Sequence, residues 1–212
     1  MNSGRADGRA TVAPSNETRP LGEGTIRESL RRYLREIWTD HPDTVLMEEL
    51  GLCRGRVRVD VAAVNGMLHG YEIKSDRDRL TRLPVQVRIY SQVMDRATIV
   101  VGSRYLDAAR EGLPSWWGIL LAEFEDDGVH FELVRTAAKN PDRDPRALVE
   151  LLWRDEALGL LEDHGWDHGV RSKPRPTIWD RVCECFDVEE IAEAVRRQLR
   201  IRAMTPGPPR SG

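Results

Sequence analysis

The sequence predicts an α/β protein, a mixed sheet flanked by helices, followed by a helical C-terminal part. Three observations carry this. Two runs on either side of Asn65-Gly66 alternate apolar and polar residues with a period of two, as half-buried strands do. Two later runs, Ala97 to Val101 and Trp117 to Glu123, are almost wholly apolar, the pattern of strands covered on both faces. The segments before, between and after them repeat their apolar residues every three to four positions, the period of a helix packed on one side.

The elements follow in order. Residues 1–22 are rich in Gly, Ser, Pro, Asn and Arg without periodicity and read as a disordered tail. Thr25 opens a helix with Ile26, Leu30, Tyr33, Leu34 and Ile37 on one face and Glu28 at the capping-box position; His41-Pro42 ends it. Val45 to Leu50 reads equally as a strand or a helical turn. Val57, Val59 and Val61 then alternate with Arg58, Asp60 and Ala62 as a strand. Asn65-Gly66 signals a hairpin, and Leu68 to Lys74 is the returning strand. A helix runs from about Thr81 to Asp95, with Pro84 tolerated in its first turn. The strand Ala97 to Val101, a helix over Arg104 to Glu111, and the strand Trp117 to Glu123 complete the order α, (β), β, β, α, β, α, β. After the acidic turn Glu125-Asp126-Asp127-Gly128, Val129 to Val134 is one more strand. Pro141 and Pro145 bracket a linker. Pro145 to Leu161, Ile178 to Phe186 and Val188 to Arg202 are amphipathic helices, and residues 204–212 form a second disordered tail.

Composition narrows the function. With 40% hydrophobic residues in 212, the chain has enough apolar surface for a core. No apolar run reaches the roughly 18–20 residues of a membrane span, and the polar start lacks a signal-peptide segment, so a cytoplasmic protein without a membrane partner is expected. Three cysteines (Cys53, Cys183, Cys185) are too few for a disulfide framework. The net charge of −3 hides an uneven spread: residues 51–110 hold 11 Lys/Arg against 6 Asp/Glu, and residues 111–170 hold 5 against 14. A basic middle beside an acidic flank suits a polyanion site, and equally a set of solvated faces.

The chemistry concentrates in the hairpin. An acid inside an apolar strand needs a partner, because burying an unpaired carboxylate is costly. Asp60 stands inside Val-Arg-Val-Asp-Val-Ala-Ala-Val, and Glu72 and Lys74 interrupt Gly-Tyr-Glu-Ile-Lys across the turn. Two carboxylates and an amine on adjacent strands suit a divalent cation and a polarised water; a cross-strand ion pair is the plainer reading. The turn decides the geometry. A two-residue loop puts Asp60 opposite Tyr71, with Glu72 and Lys74 facing away. An odd loop, such as three residues with Gly66 in a left-handed bulge position, puts all three on one face and groups Val57, Val59, Val61, Tyr71 and Ile73 on the other. The lysine is itself informative, since the chain has three lysines against 29 arginines, and lysine's pKa can be lowered for proton chemistry. Gln86 and Tyr90, four apart on the next helix, point the same way.

Asp60, then Glu72-Ile73-Lys74, then Gln86-Val-Arg-Ile-Tyr90 resembles the PD-(D/E)XK nuclease superfamily, closest to the RecB-like and lambda-exonuclease-like branch with a Q-x-x-x-Y helix, as an uncharacterised bacterial family within it. The resemblance covers Thr25 to Glu123. Val59 stands where the superfamily's name has proline. It implies a restriction-endonuclease-like core of order α-β-β-β-α-β in a domain over residues 23–135, with a helical C-terminal region over 145–203 outside it. It implies Asp60, Glu72, Lys74, Gln86 and Tyr90 as catalytic residues. A Mg2+ or Mn2+ ion is implied on Asp60, Glu72 and the Ile73 carbonyl, with Lys74 orienting or activating the attacking water. A further acid upstream is implied: Glu49 is favoured, with Glu48 and Glu36 as alternatives. The expected activity is metal-dependent hydrolysis of DNA in repair, mobile-element or defence functions. The alternative is a non-catalytic nuclease-fold module that binds nucleic acid or a partner protein; a homodimer is also considered.

Arg77, Arg79, Arg82 and Arg88 flank the site as phosphate ligands or as a solvated surface. Arg196, Arg197, Arg200 and Arg202, with the tryptophans, suggest that the C-terminal helices pack on the α/β body and shape the DNA path or a partner surface. Trp116, Trp117, Trp153, Trp166 and Trp179 read better as core than as base-stacking platforms. His164, His168, Cys183 and Cys185 fit no usual zinc spacing.

Overall fold

A computed structural model describes residues 22–125 and 128–205. Helix α1 (Glu23–Ile37) precedes strands β1 (Val45–Leu52), β2 (Val57–Val64) and β3 (Leu68–Lys74). A 3-10 turn, Leu80–Arg82, leads into α2 (Leu83–Val93), then β4 (Arg96–Val101), α3 (Leu106–Gly112), β5 (Gly118–Glu125) and β6 (Gly128–Arg135). Helices α4 (Pro145–Val149), α5 (Arg154–Glu162), α6 (Arg175–Cys185) and α7 (Val188–Met204) follow. The strands form one sheet in sequence order. β1–β2, β2–β3 and β5–β6 pair antiparallel, whereas β3–β4 and β4–β5 pair parallel, so the sheet is mixed. The segment at Val45 is therefore a strand. Of the two expected tails, only Gly22 and residues 204–205 are described, and Met204 still belongs to α7.

Two cores sandwich the sheet. On one face Ile26, Leu30 and Leu34 of α1 pack on Val61, Ala63, Tyr71, Ile73, Val100 and Leu120. On the other, a continuous cluster joins Val59, Val64 and Ile99 of the sheet to Tyr90 of α2 and to Leu148, Trp179 and Leu199 of the C-terminal helices. The helices after residue 145 thus build the second layer of the same core. A buried ion-pair latch fastens them: the Asp95 carboxylate, just after α2, accepts from Arg143, from Arg196 (3.0 Å) and from the Leu68 N–H (2.7 Å).

Four local expectations are corrected. α1 starts at Glu23 behind Gly22, with no side-chain cap, so Thr25 and Glu28 make no capping box. The helix expected over Pro145 to Leu161 is two: Leu151 and Leu152 turn back on Leu148 and Val149, and the Trp153 N–H, held by Glu156 (2.7 Å), starts α5 afresh. The helix expected from Arg104 begins as a 3-10 turn at Ser103–Tyr105. Finally, Val57 and Val59 do not share a face with Val61, Tyr71 and Ile73 but belong to the opposite core. The cause is a matched irregularity. Glu49 has a left-handed φ of 53°, and it and Asp60, across from it, drop out of an otherwise constant register. Alternation in both strands shifts there by one residue.

Candidate active site

The hairpin turn sets the parity of the site. Val64 pairs with Leu68 and Val61 with Tyr71, so the loop is the odd three residues Asn65, Gly66 and Met67. Gly66 is not left-handed, contrary to the bulge expected there. The Asn65 side chain instead accepts the Met67 N–H at 2.9 Å, and the Asn65 N–H bonds the Met67 carbonyl at 3.0 Å. The β2–β3 ladder stops at Val61–Tyr71. Beyond it the Asp60 carboxylate takes the Ile73 N–H at 2.7 Å, so the acid stands where strand pairing gives way.

Asp60, Glu72, Ile73, Lys74 and Gln86 line one cleft of about 380 Å3, with Arg79 and Arg82 on its wall. Glu72 is 1% exposed, and each of its oxygens is hydrogen-bonded. One oxygen accepts from Lys74 Nζ (2.5 Å) and from the Gln86 amide, the other from the Tyr90 hydroxyl (2.7 Å). Gln86 Oε1 is buried and accepts no hydrogen bond, which leaves an acceptor at the cleft. Desolvation, then the charge of Glu72, pushes the Asp60 carboxyl up to about 7 against the pull of the Ile73 N–H and Arg27. The same causes hold Tyr90 well above its ordinary value, as a permanent donor.

Helix α2 reaches Glu72 because residue 70 has no side chain. A Cβ on Gly70 would lie 3.0 Å from the Tyr90 ring and 3.1 Å from Met94 Sδ. Gly70→Val should lift α2 from the sheet and cost about 1–3 kcal/mol, measured by urea denaturation, while weakening the Tyr90–Glu72 bond.

The upstream acids fall differently from the sequence reading. Glu49 is held by Arg27 (2.6 Å), Glu48 by Arg31 (2.9 Å), and Glu36 is exposed; none of the three lines the cleft. The α1 acid that does is Glu23. Arg27, missed by the sequence reading, joins Glu23 (2.5 Å), Glu49 and Asp60 (2.9 Å) through one guanidinium. Its signal was the i, i+4 pair with Glu23, which lay ahead of the helix start assigned at Thr25. Among the described residues no group of three His, Cys, Asp or Glu side chains is arranged to hold a metal ion. The acids that line the cleft are Glu23, Asp60, Glu72 and Asp78, with Ile73 beside them. That hard-oxygen set is what a magnesium-type ion takes from a protein when phosphate and water complete its shell.

Arg77, Arg79, Arg82 and Arg88 are exposed. The C-terminal arginines are not a uniform basic surface: Arg196 is buried on Asp95 and Glu189, and Arg202 pairs with Glu156 beneath Trp153. Trp116, Trp117 and Trp179 are core residues, whereas Trp153 and Trp166 are partly exposed. All three cysteines are free and half-buried.

Fold and site together define an α/β protein whose sheet carries a paired-carboxylate cleft closed by a lysine and a Gln/Tyr helix. The chain matches the family described as bacteriophage P4 protein cII over residues 17–205, and it belongs to that family. It is 25% identical over 123 residues to protein cII of Enterobacteria phage P4, covering 58% of this chain and 47% of that one. The chain thus spans about half the length of this curated relative. A solved structure, a protein of unknown function from Silicibacter pomeroyi, is similar at 24% identity over 68% of this chain and 94% of its own, with a TM-score of 0.41.

Proposed function

We propose that the protein is a cytoplasmic, Mg2+- or Mn2+-dependent phosphodiesterase that cuts DNA. The observation that carries this reading is the convergence of Asp60, Glu72 and Lys74 in one cleft, with Gln86 and Tyr90 both bonded to Glu72. Asp60, Glu72 and the Ile73 carbonyl would hold the ion; when bound, it supplies charge to a non-bridging phosphate oxygen and acidifies a water. Lys74 Nζ donates to Glu72, where it orients the attacking water and offsets developing negative charge. Gln86 and Tyr90 fix the Glu72 rotamer, and Arg79 and Arg82 take the phosphate backbone. Membership of a bacteriophage protein family favours mobile-element DNA among the expected settings. Among the described residues no helix is long and apolar enough to cross a membrane.

The test is incubation of linear, nicked and circular DNA with and without Mg2+ or Mn2+. Metal-dependent cleavage supports the reading; intact DNA under every condition sinks it. One observation favours a second reading, a nuclease-fold module that binds DNA or a partner without turnover: Arg27 already satisfies Asp60 and Glu49 as a counter-cation. DNA binding without cleavage, and no Mn2+ binding by calorimetry, would select it.

A further inference from the structure

The α1 face of the sheet carries a second cavity, of about 170 Å3, with Tyr33, Trp38 and Tyr71 among its walls. That is room for a single aromatic ring, since an apolar cavity of about 150 Å3 accepts benzene. The apolar side chains Ile37 and Leu133 at its mouth are 47% and 58% exposed. Arg96 is the charged group among its lining residues. Its Nε is buried without a hydrogen-bond partner, and it forms no ion pair among the described residues. The other ionisable base there, His69, is engaged by Thr98 (2.8 Å) and Tyr71 (3.3 Å). A half-buried guanidinium whose Nε is unpaired, set in aromatic walls under an apolar rim, is half of a contact.

The other half is on the same molecule. Phe124 of β5 is 41% exposed, and its neighbours Glu123 and Glu125 are exposed as well. Leu120 and Ala122 pack in the α1-side core, so by alternation Phe124 lies on that face too, as the cavity does. The cavity's Leu120 and Phe124 are four residues apart on one strand, roughly 13 Å. Two such features on one face allow a two-fold pair in which each copy supplies a ring and receives one.

We infer that a second copy of this chain docks here, its Phe124 ring entering the cavity and a flanking glutamate pairing with Arg96. This does not depend on the nuclease reading. Sedimentation velocity of the full chain should show monomer passing to dimer as concentration rises through the micromolar range. Phe124→Ser and Arg96→Glu should each stay monomeric while keeping the wild-type circular dichroism spectrum; Arg96→Met replaces the latter if it misfolds. A wild-type chain that stays monomeric would overturn the inference. So would a dimer indifferent to both substitutions.

Discussion

Asp60→Asn should nearly abolish DNA cleavage while leaving the fold intact. The amide keeps the size of the carboxyl and one oxygen to accept the Ile73 N–H, so the opened end of the β2–β3 ladder stays satisfied. What it lacks is the anionic oxygen a hard divalent ion requires. Lys74→Ala should cost roughly 10²–10³-fold in rate, the scale of removing one donor that stabilises developing charge. Lys74→Arg should restore little, because the planar guanidinium keeps the charge but does not fit beside Glu72 and Gln86. DNA binding should survive all three changes, since on the proposed reading phosphate contacts would come from the exposed Arg77, Arg79, Arg82 and Arg88. Initial rates with Mg2+, gel-shift affinity and circular dichroism check these points together. Cleavage by the Asp60→Asn protein at the wild-type rate would assign the activity elsewhere.

The second large effect is structural. Asp95→Ala should destabilise the protein by about 3–5 kcal/mol, the scale for removing one partner of a buried ion pair. The carboxylate faces two buried guanidinium groups, Arg143 and Arg196, and the Leu68 N–H that begins β3. Deleting it leaves the Leu68 N–H unpaired and two guanidinium groups with only the half-exposed Glu189 as counter-charge. Both arginines also hold Glu189, whose carboxyl sits at about 2 chiefly because of the Arg143 hydrogen bond. That contribution is present above the ordinary carboxylate range and is lost as pH falls toward 2. Urea denaturation at neutral pH measures the Asp95 effect. A chain ending near Arg135 lacks both arginines and the helices that share the core with Val64 and Ile99, so it should fail to fold. A soluble, cooperatively unfolding fragment of that length would contradict this account.

The hairpin and α2 were legible because their information is local. Period-two valines, a turn dipeptide and an i, i+4 Gln/Tyr pair each declare themselves within a few residues, and the odd loop follows from the parity of Val61, Tyr71 and Ile73, although Val57 and Val59 lie in the other core. The break between α4 and α5 was invisible because apolar spacing continues through Leu151 and Leu152, and the stop is made by turn geometry. Glu23 and Arg27 were missed because the start of α1 was placed at Thr25 and because their partners lie more than twenty residues away. Arg196 and Arg202 read as surface charge, since a sequence does not show which carboxylate a helix will meet. Glu49 was chosen as a ligand from its position alone. Its left-handed backbone and its pairing with Arg27 give it another part to play.

That backbone inversion at Glu49 has a use beyond geometry. Along β1 and β2 the hydrophobic pattern behaves like a wave that changes phase, and Asp60 stands at the node. Residues on either side are claimed by one core or the other, whereas neither core depends on the side chain at the node. An acid can therefore be set into the middle of a valine-rich strand without leaving a hole in either layer. Selection on the chemistry at position 60 is uncoupled from selection on packing, and exchanges that keep an acceptor for the Ile73 N–H should alter what the cleft does long before they alter whether the chain folds.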